Sequence, residues 1–158
     1  MEKNARIMAK VANAGSARAG QNLKEIRQCL DRWIAAVGNG SSIPVTALYA
    51  PDAVLLPTFD GKVLATPATR RFYLTAFKAR KGLKAKVDEC HIRMLGEDAA
   101  MANGLYTFRY KDADGEITTV RARFTFVYAR QPSGEWLIVA HHSSHAPAAN
   151  LNVKSRKR

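Results

Sequence analysis

The chain has 158 residues, of which 47% are hydrophobic and 24% charged, the balance of one globular domain able to bury roughly 70% of its unfolded surface. No apolar run approaches the ~18 residues that a membrane span needs, and the start of the chain is broken by charge where a secretion signal would be apolar. The net charge of +12 is uneven: Lys3, Arg6, Lys10 and Arg18 oppose only Glu2 near the start, while Lys154, Arg156, Lys157 and Arg158 meet no acid at the end.

This distribution predicts a basic flexible arm over residues 1–20, a folded body over 21–147 and a basic tail over 148–158. Such ends either touch a polyanion or acidic protein or only aid solubility. No basic surface interleaved with aromatics argues for RNA. The Ala- and Arg-rich start also suits an organelle transit peptide; a retained arm on a cytoplasmic protein is the preferred reading. The two cysteines, Cys29 and Cys90, fall on apolar faces and read as reduced core thiols rather than a disulfide.

Over residues 22–37, Leu23, Ile26, Leu30, Trp33, Ile34 and Val37 recur at three- and four-residue spacing, one face of an amphipathic helix. Glycines at 38 and 40 end it. Ser42 reads as the cap, and Pro44 as the first turn, of a short second helix closing near Leu48. A strand over 53–57 and a turn at Asp60-Gly61 follow. Thr66-Pro67 opens a third helix through Phe72, Tyr73 and Phe77, which Gly82 stops. The period then falls to two, giving four strands over 83–95, 99–110, 116–128 and 136–144 with turns at 96–98, 112–115 and 131–134. Helices first and an antiparallel meander afterwards is an α+β order: N-terminal helices packed on a curved antiparallel sheet, with a cavity between.

Five segments occur in order: "YAPDAVLLPT" (49–58), "RRFYLTAF" (70–77), "RMLGEDAAMANGLYTF" (93–108), "RFTFVYAR" (123–130) and "EWLIVAHHSSHAP" (135–147). Together they resemble the iota-class carbonic anhydrases and, more distantly, the association domain of calcium/calmodulin-dependent protein kinase II. The resemblance covers residues 22–147. It implies a cone-shaped nuclear transport factor 2-like (cystatin-like) fold that forms dimers or larger rings. In the iota class it further implies reversible CO2 hydration, in several members without a metal, with Thr, Tyr and Ser side chains gathered round bicarbonate. The same cone also serves binding modules and pure oligomerisers, so a non-catalytic association module, or a subunit of a larger assembly, is the alternative.

Matched to those motifs, Thr58, Tyr73 and, less closely, Tyr106 are pocket residues, and Ser143 stands where the kinase association domain places an Arg. Strict alternation puts Leu137, Val139, His141 and Ser143 on one face of the last strand, with Ile138, Ala140, His142 and Ser144 opposite. The expected catalytic set is Thr58, Tyr73 and Ser143, aligning a water against CO2, with His141 accepting the proton from an ordinary pKa near 6.5. Tyr106, Arg123, Thr125 and Ser144 are the expected contacts to bicarbonate or another small anion, Arg123 and Thr125 on the condition that the polar face of their strand lines the cavity. Plain alternatives stand beside these: Tyr73 as core, Ser143 and Ser144 as strand-end hydroxyls, and Arg121 facing solvent or a partner. Of the histidines, adjacent His141 and His142 project oppositely, and no HxH, CxxC or HExxH spacing occurs. No cofactor is expected, with zinc the alternative.

Overall fold

The apolar stripe read from the sequence lies on a helix that packs across one face of a five-stranded sheet. The computed structural model describes residues 2–38 and 43–148, with side chains from residue 17 onward. Helix α1, Glu2–Gly38, extends back through most of the segment read as a basic arm. Ser42, the expected cap, and residues 149–158 of the basic tail lie outside the described residues. Pro44 precedes a single 3₁₀ turn, Val45–Leu48, instead of opening an α-helix.

Strand β1, Tyr49–Leu56, begins four residues before the expected start. Helix α2, Pro67–Lys78, has the predicted cap: Thr66 Oγ1 accepts from the Thr69 backbone N–H at 3.2 Å, and Pro67 occupies the first turn. Strands β2 (Lys84–Met94), β3 (Ala99–Lys111), β4 (Ile117–Arg130) and β5 (Trp136–His145) form the antiparallel meander. The sheet order is β1-β5-β4-β3-β2, and β1 joins the edge parallel to β5, so the sheet is mixed rather than purely antiparallel. A parallel neighbour needs a long crossover; here α2 and three strands intervene.

Three irregularities bend this sheet. The register slips between Val87 and Glu89 on β2, between Val127 and Tyr128 on the β4–β5 pair, and between Tyr49 and Val54 on β1. A bulge coils the strand and re-aims its side chains. The second slip is the consequential one. Tyr128 pairs with Ile138 and Val127 with Ala140, which leaves Val139 as the extra residue. Trp136, Ile138, His141 and Ser143 therefore all face inward and are buried. This corrects the strict alternation, which set Ile138 on the face opposite His141.

Ala102, Tyr106 and Phe108 of β3 and Ala122, Phe124, Phe126 and Tyr128 of β4 complete the inner face, packed beneath Ile26, Leu30 and Trp33 of α1. On α1 it is Asn22, not Leu23, that is buried. Its amide donates to the Glu97 carbonyl (3.3 Å) and accepts from Arg130 (2.6 Å). One turn along, Glu25 accepts from the Trp136 indole at 2.9 Å and from Arg130 at 3.2 Å. The Trp136 and Gln21 hydrogen bonds, joined by Arg130, hold its carboxyl below the usual carboxylate range. These polar ties fix α1 across the β2–β3 and β4–β5 turns. Cys29 and Cys90 are free thiols, the first buried and the second half-buried.

Candidate functional site

A buried run of polar side chains crosses the space between α1 and the sheet. Trp33 Nε1 donates to Tyr49 Oη at 2.9 Å, and Tyr49 Oη lies 2.8 Å from His141 Nδ1. On the other side of the ring, His141 Nε2 is 3.3 Å from Tyr106 Oη, which donates to Ser143 Oγ at 2.5 Å. Ser143 Oγ is in turn bonded to Thr58 Oγ1. Tyr106 gives its own hydrogen to Ser143 and so accepts from His141 Nε2, which leaves Nδ1 to receive the Tyr49 hydrogen while the Tyr49 oxygen receives that of the indole. The imidazole then carries its hydrogen on Nε2, toward Tyr106. The run is ordered in one direction from Trp33 as far as Ser143, and each of these six groups has a partner in it.

The fold explains why they meet. β1 and β5 are parallel neighbours with Leu55 beside His141, which brings the end of the "LLPT" strand alongside Ser143. β4 separates β3 from β5, and the small Ala122, which pairs with Tyr106, lets that ring reach across toward Ser143. His141 stacks on Phe126, with ring centroids 3.9 Å apart, and meets Trp33 edge-on at 5.2 Å.

Burial, with the neighbouring His142 adding to it, pulls His141 down from 6.5 to about 3. The ring is neutral at physiological pH and cannot accept a proton there. A buried, neutral ring does not suit the proton-accepting role expected of it. Burial likewise drives the Tyr49 and Tyr106 hydroxyls upward, so both remain protonated donors.

Thr58, Tyr106, His141 and Ser143 share the walls of one hollow with Trp33, Leu55, Leu74, Phe77, Phe108 and Tyr73. The free volume there is about 10 Å³, on the order of one water. Tyr73 bounds this hollow without joining the hydrogen-bonded run. Its ring stacks on Phe77 at 5.9 Å. Burial raises its hydroxyl to about 12, opposed by a hydrogen bond with the Phe59 backbone.

The remaining expected contacts lie elsewhere. Because the apolar face of β4 packs inward, Arg123 and Thr125 project from the outer face of the sheet, as does Ser144. Arg123 donates to Ser144 at 3.1 Å, and Thr125 accepts from Asn103 at 2.7 Å. The condition that the polar face lines the cavity is not met, so these three are removed from the pocket. Among the described residues no cluster of three His, Cys, Asp or Glu side chains could hold a metal.

Arg70 was not singled out from the sequence, yet it is only 3% exposed. Its guanidinium donates to the Ala50 and Pro51 carbonyls, each at 2.9 Å, and to the Ala53 carbonyl. Those carbonyls belong to the irregular part of β1, and Arg70 satisfies them while tying α2 to the strand. Burial lowers its pKa, with Tyr49 and Asp52 opposing. No charge-pairing pattern in the sequence marks such a role.

Helix and curved sheet around a small hollow give the chain a nuclear transport factor 2-like, cystatin-like fold. A protein of that description from Novosphingobium aromaticivorans superposes with a TM-score of 0.71 at 15% identity, over 87% of this chain and 90% of that one. Within that fold, residues 22–147 match the calcium/calmodulin dependent protein kinase II association domain, and the chain belongs to that family. A Xanthomonas campestris structure assigned to the same association domain is 39% identical, with a TM-score of 0.71, over 78% of this chain and 86% of that one. The delta subunit of rabbit (Oryctolagus cuniculus) calcium/calmodulin-dependent protein kinase type II is 27% identical over 131 residues, covering 81% of this chain. The chain spans only 24% of that kinase's length.

Proposed function

We propose that this chain is a non-catalytic association module that joins copies of itself through the outer face of its sheet. One observation carries the reading. The two helices pack on the inner side, and no described element covers the outer side. There, Val54, Ala140, Val127 and Met101 are successive cross-strand partners, forming an apolar row across β1, β5, β4 and β3. All four are half-buried in the single chain, and Leu56 beside them is 40% exposed. An apolar row rimmed by Asn103, Thr125, Arg123 and His142 has the composition of a subunit contact, apolar at the centre and polar at the rim. A second copy presents the same row, so a two-fold pairing is self-complementary. Membership in an association-domain family supports the same reading.

Light scattering on the eluting full chain is expected to give a dimer or a larger assembly at micromolar concentration. Val127→Asp sets a charge in the middle of the row at a site that tolerates it in a monomer. Its dissociation constant is expected to rise about tenfold or more, ~1.4 kcal/mol per factor of ten, with an unchanged circular dichroism spectrum. A wild-type chain that elutes as a monomer at every concentration would sink the proposal.

A second reading, reversible CO2 hydration of the iota-class kind, is supported by the gathering of Thr58, Tyr106 and Ser143 hydroxyls at one hollow. Two features weigh against it: a free volume near 10 Å³, and a histidine held at about 3. The association reading expects stopped-flow CO2 hydration no faster than the buffer blank, with or without a chelator, and no change in Ser143→Ala or Thr58→Ala. Acceleration that either substitution abolishes would establish the second reading instead.

A further inference from the structure

Outside the hollow, α2 and the segment after β1 border a separate groove of about 490 Å³, of which Tyr73 and Phe77 form the shared wall. Its size is that of a small-molecule site. The groove is lined by aromatic rings and holds two cations, Lys62 and Arg80, and one acid, Asp60.

Arg80 is held in an unusual way. Its guanidinium carbon lies 4.6 Å from the Phe59 ring centroid, 5.1 Å from that of Phe77 and 5.3 Å from that of Tyr110. Three rings from a loop, a helix and a strand thus hold the cation in place through their faces. Ring faces occupy a guanidinium without accepting its N–H groups, which lie in its plane. Among the described residues no carboxylate pairs with Arg80. Asp60 accepts from the Lys62 backbone N–H at 3.0 Å instead. The result is an oriented, half-buried set of donors without an acceptor, the arrangement that a planar two-oxygen anion completes in bidentate fashion.

The rest of the lining narrows the ligand. Phe72 is 82% exposed, so its ring face is open to a ligand. It stands beside Tyr73 on the rim of the same groove. Two cations against one acid leave a single positive charge to neutralise. We propose that this groove binds a small aromatic monocarboxylate, its carboxylate on Arg80 and its ring against Phe72 and Tyr73. The site is distinct from both the association face and the hydroxyl hollow.

Benzoate is the probe. Titrated into the 15N-labelled full chain, it is expected to move the Arg80 Nε resonance saturably and to give a matching calorimetric isotherm. Arg80→Gln should weaken binding about tenfold or more. Arg80→Lys should weaken it by less, because charge remains while the fork is lost. Phe72→Ser should weaken benzoate but not acetate, which has the head group and no ring. Benzylamine, the same ring with the opposite charge, should not compete. The Val127→Asp chain should bind like the parent, since no groove residue lies on the outer sheet face, so failure of the association reading leaves this test intact. An unmoved Arg80 Nε resonance, equal affinity in Arg80→Gln, or effective competition by benzylamine would each overturn the site. If Arg80→Gln does not fold, the parent's Nε shift and the Arg80→Lys chain decide the matter.

Discussion

Gly104→Ala is expected to be the most damaging single methyl addition in the sheet, lowering the melting temperature by about 6–12 °C, for a loss of about 3 kcal/mol. Gly104 pairs with Cys90 just beyond the β2 bulge. A β-carbon there would lie 2.8 Å from the Glu89 carbonyl carbon and 2.9 Å from Phe124 Cζ, and closer still to the Glu89 oxygen. Two of those three atoms are backbone, so no side-chain rotation relieves the overlap. The bulge or the Phe124 ring would have to shift, and Phe124 packs on Tyr106 with centroids 4.8 Å apart. Damage to the bend would therefore spread into the polar run. Gly96→Ala is the control: its β-carbon meets nothing within 4 Å and should be nearly neutral. Thermal melts of both variants check the pair, and equal melting temperatures would contradict the steric argument.

The second large effect is acid sensitivity centred on His141. Its pKa is about 3 when folded against 6.5 as the reference. Between those values the unfolded chain binds a proton that the folded chain refuses. Stability therefore falls as pH drops through 6.5 and keeps falling until about 3. Integrated from pH 7 to pH 5, the loss from this residue alone is about 2 kcal/mol. Urea unfolding at the two pH values should show it. His141→Gln should be less stable at pH 7, having lost the Phe126 stack, but its stability should decline less between pH 7 and pH 5. A parent protein equally stable at both would remove the assignment of a buried neutral ring.

The order of elements was legible because it rests on period and punctuation. Leucines, isoleucines and tryptophan at helical spacing, the Thr66-Pro67 cap and glycines 82, 115 and 134, all at positive φ, announce their structures locally. What strict period-two reading could not find was the slip at Val139, since no residue type there signals a bulge. That one slip moves Ile138 to the inner face. Asn22 took the place of Leu23 because its partners, Glu97 and Arg130, lie far along the chain.

Of the candidate site, Thr58, Tyr106, His141 and Ser143 do stand together. Three of them were found through motif resemblance, as their spacing along the chain carries no such information. Trp33 reads from the sequence only as part of the helix's apolar face and Tyr49 only as the start of a motif, since a buried tyrosine or tryptophan reads simply as core. The misplacement of Arg123 and Thr125 had a visible remedy: Phe124, Phe126 and Tyr128 offer more apolar area to bury, and the larger apolar face turns inward. The free space left inside depends on how Tyr73 and Phe77 lean together, which no pattern of residue types encodes.

The ordered run from Trp33 to Thr58 has an arithmetic remainder. Six groups bring six hydrogens, and the links between them use five. With the indole giving at one end and Tyr106 giving to Ser143, the spare hydrogen sits at the Ser143–Thr58 end. A guest the size of one water meets a spare hydrogen at that end beside hydroxyl oxygens that keep a free lone pair, so it can both receive and give there.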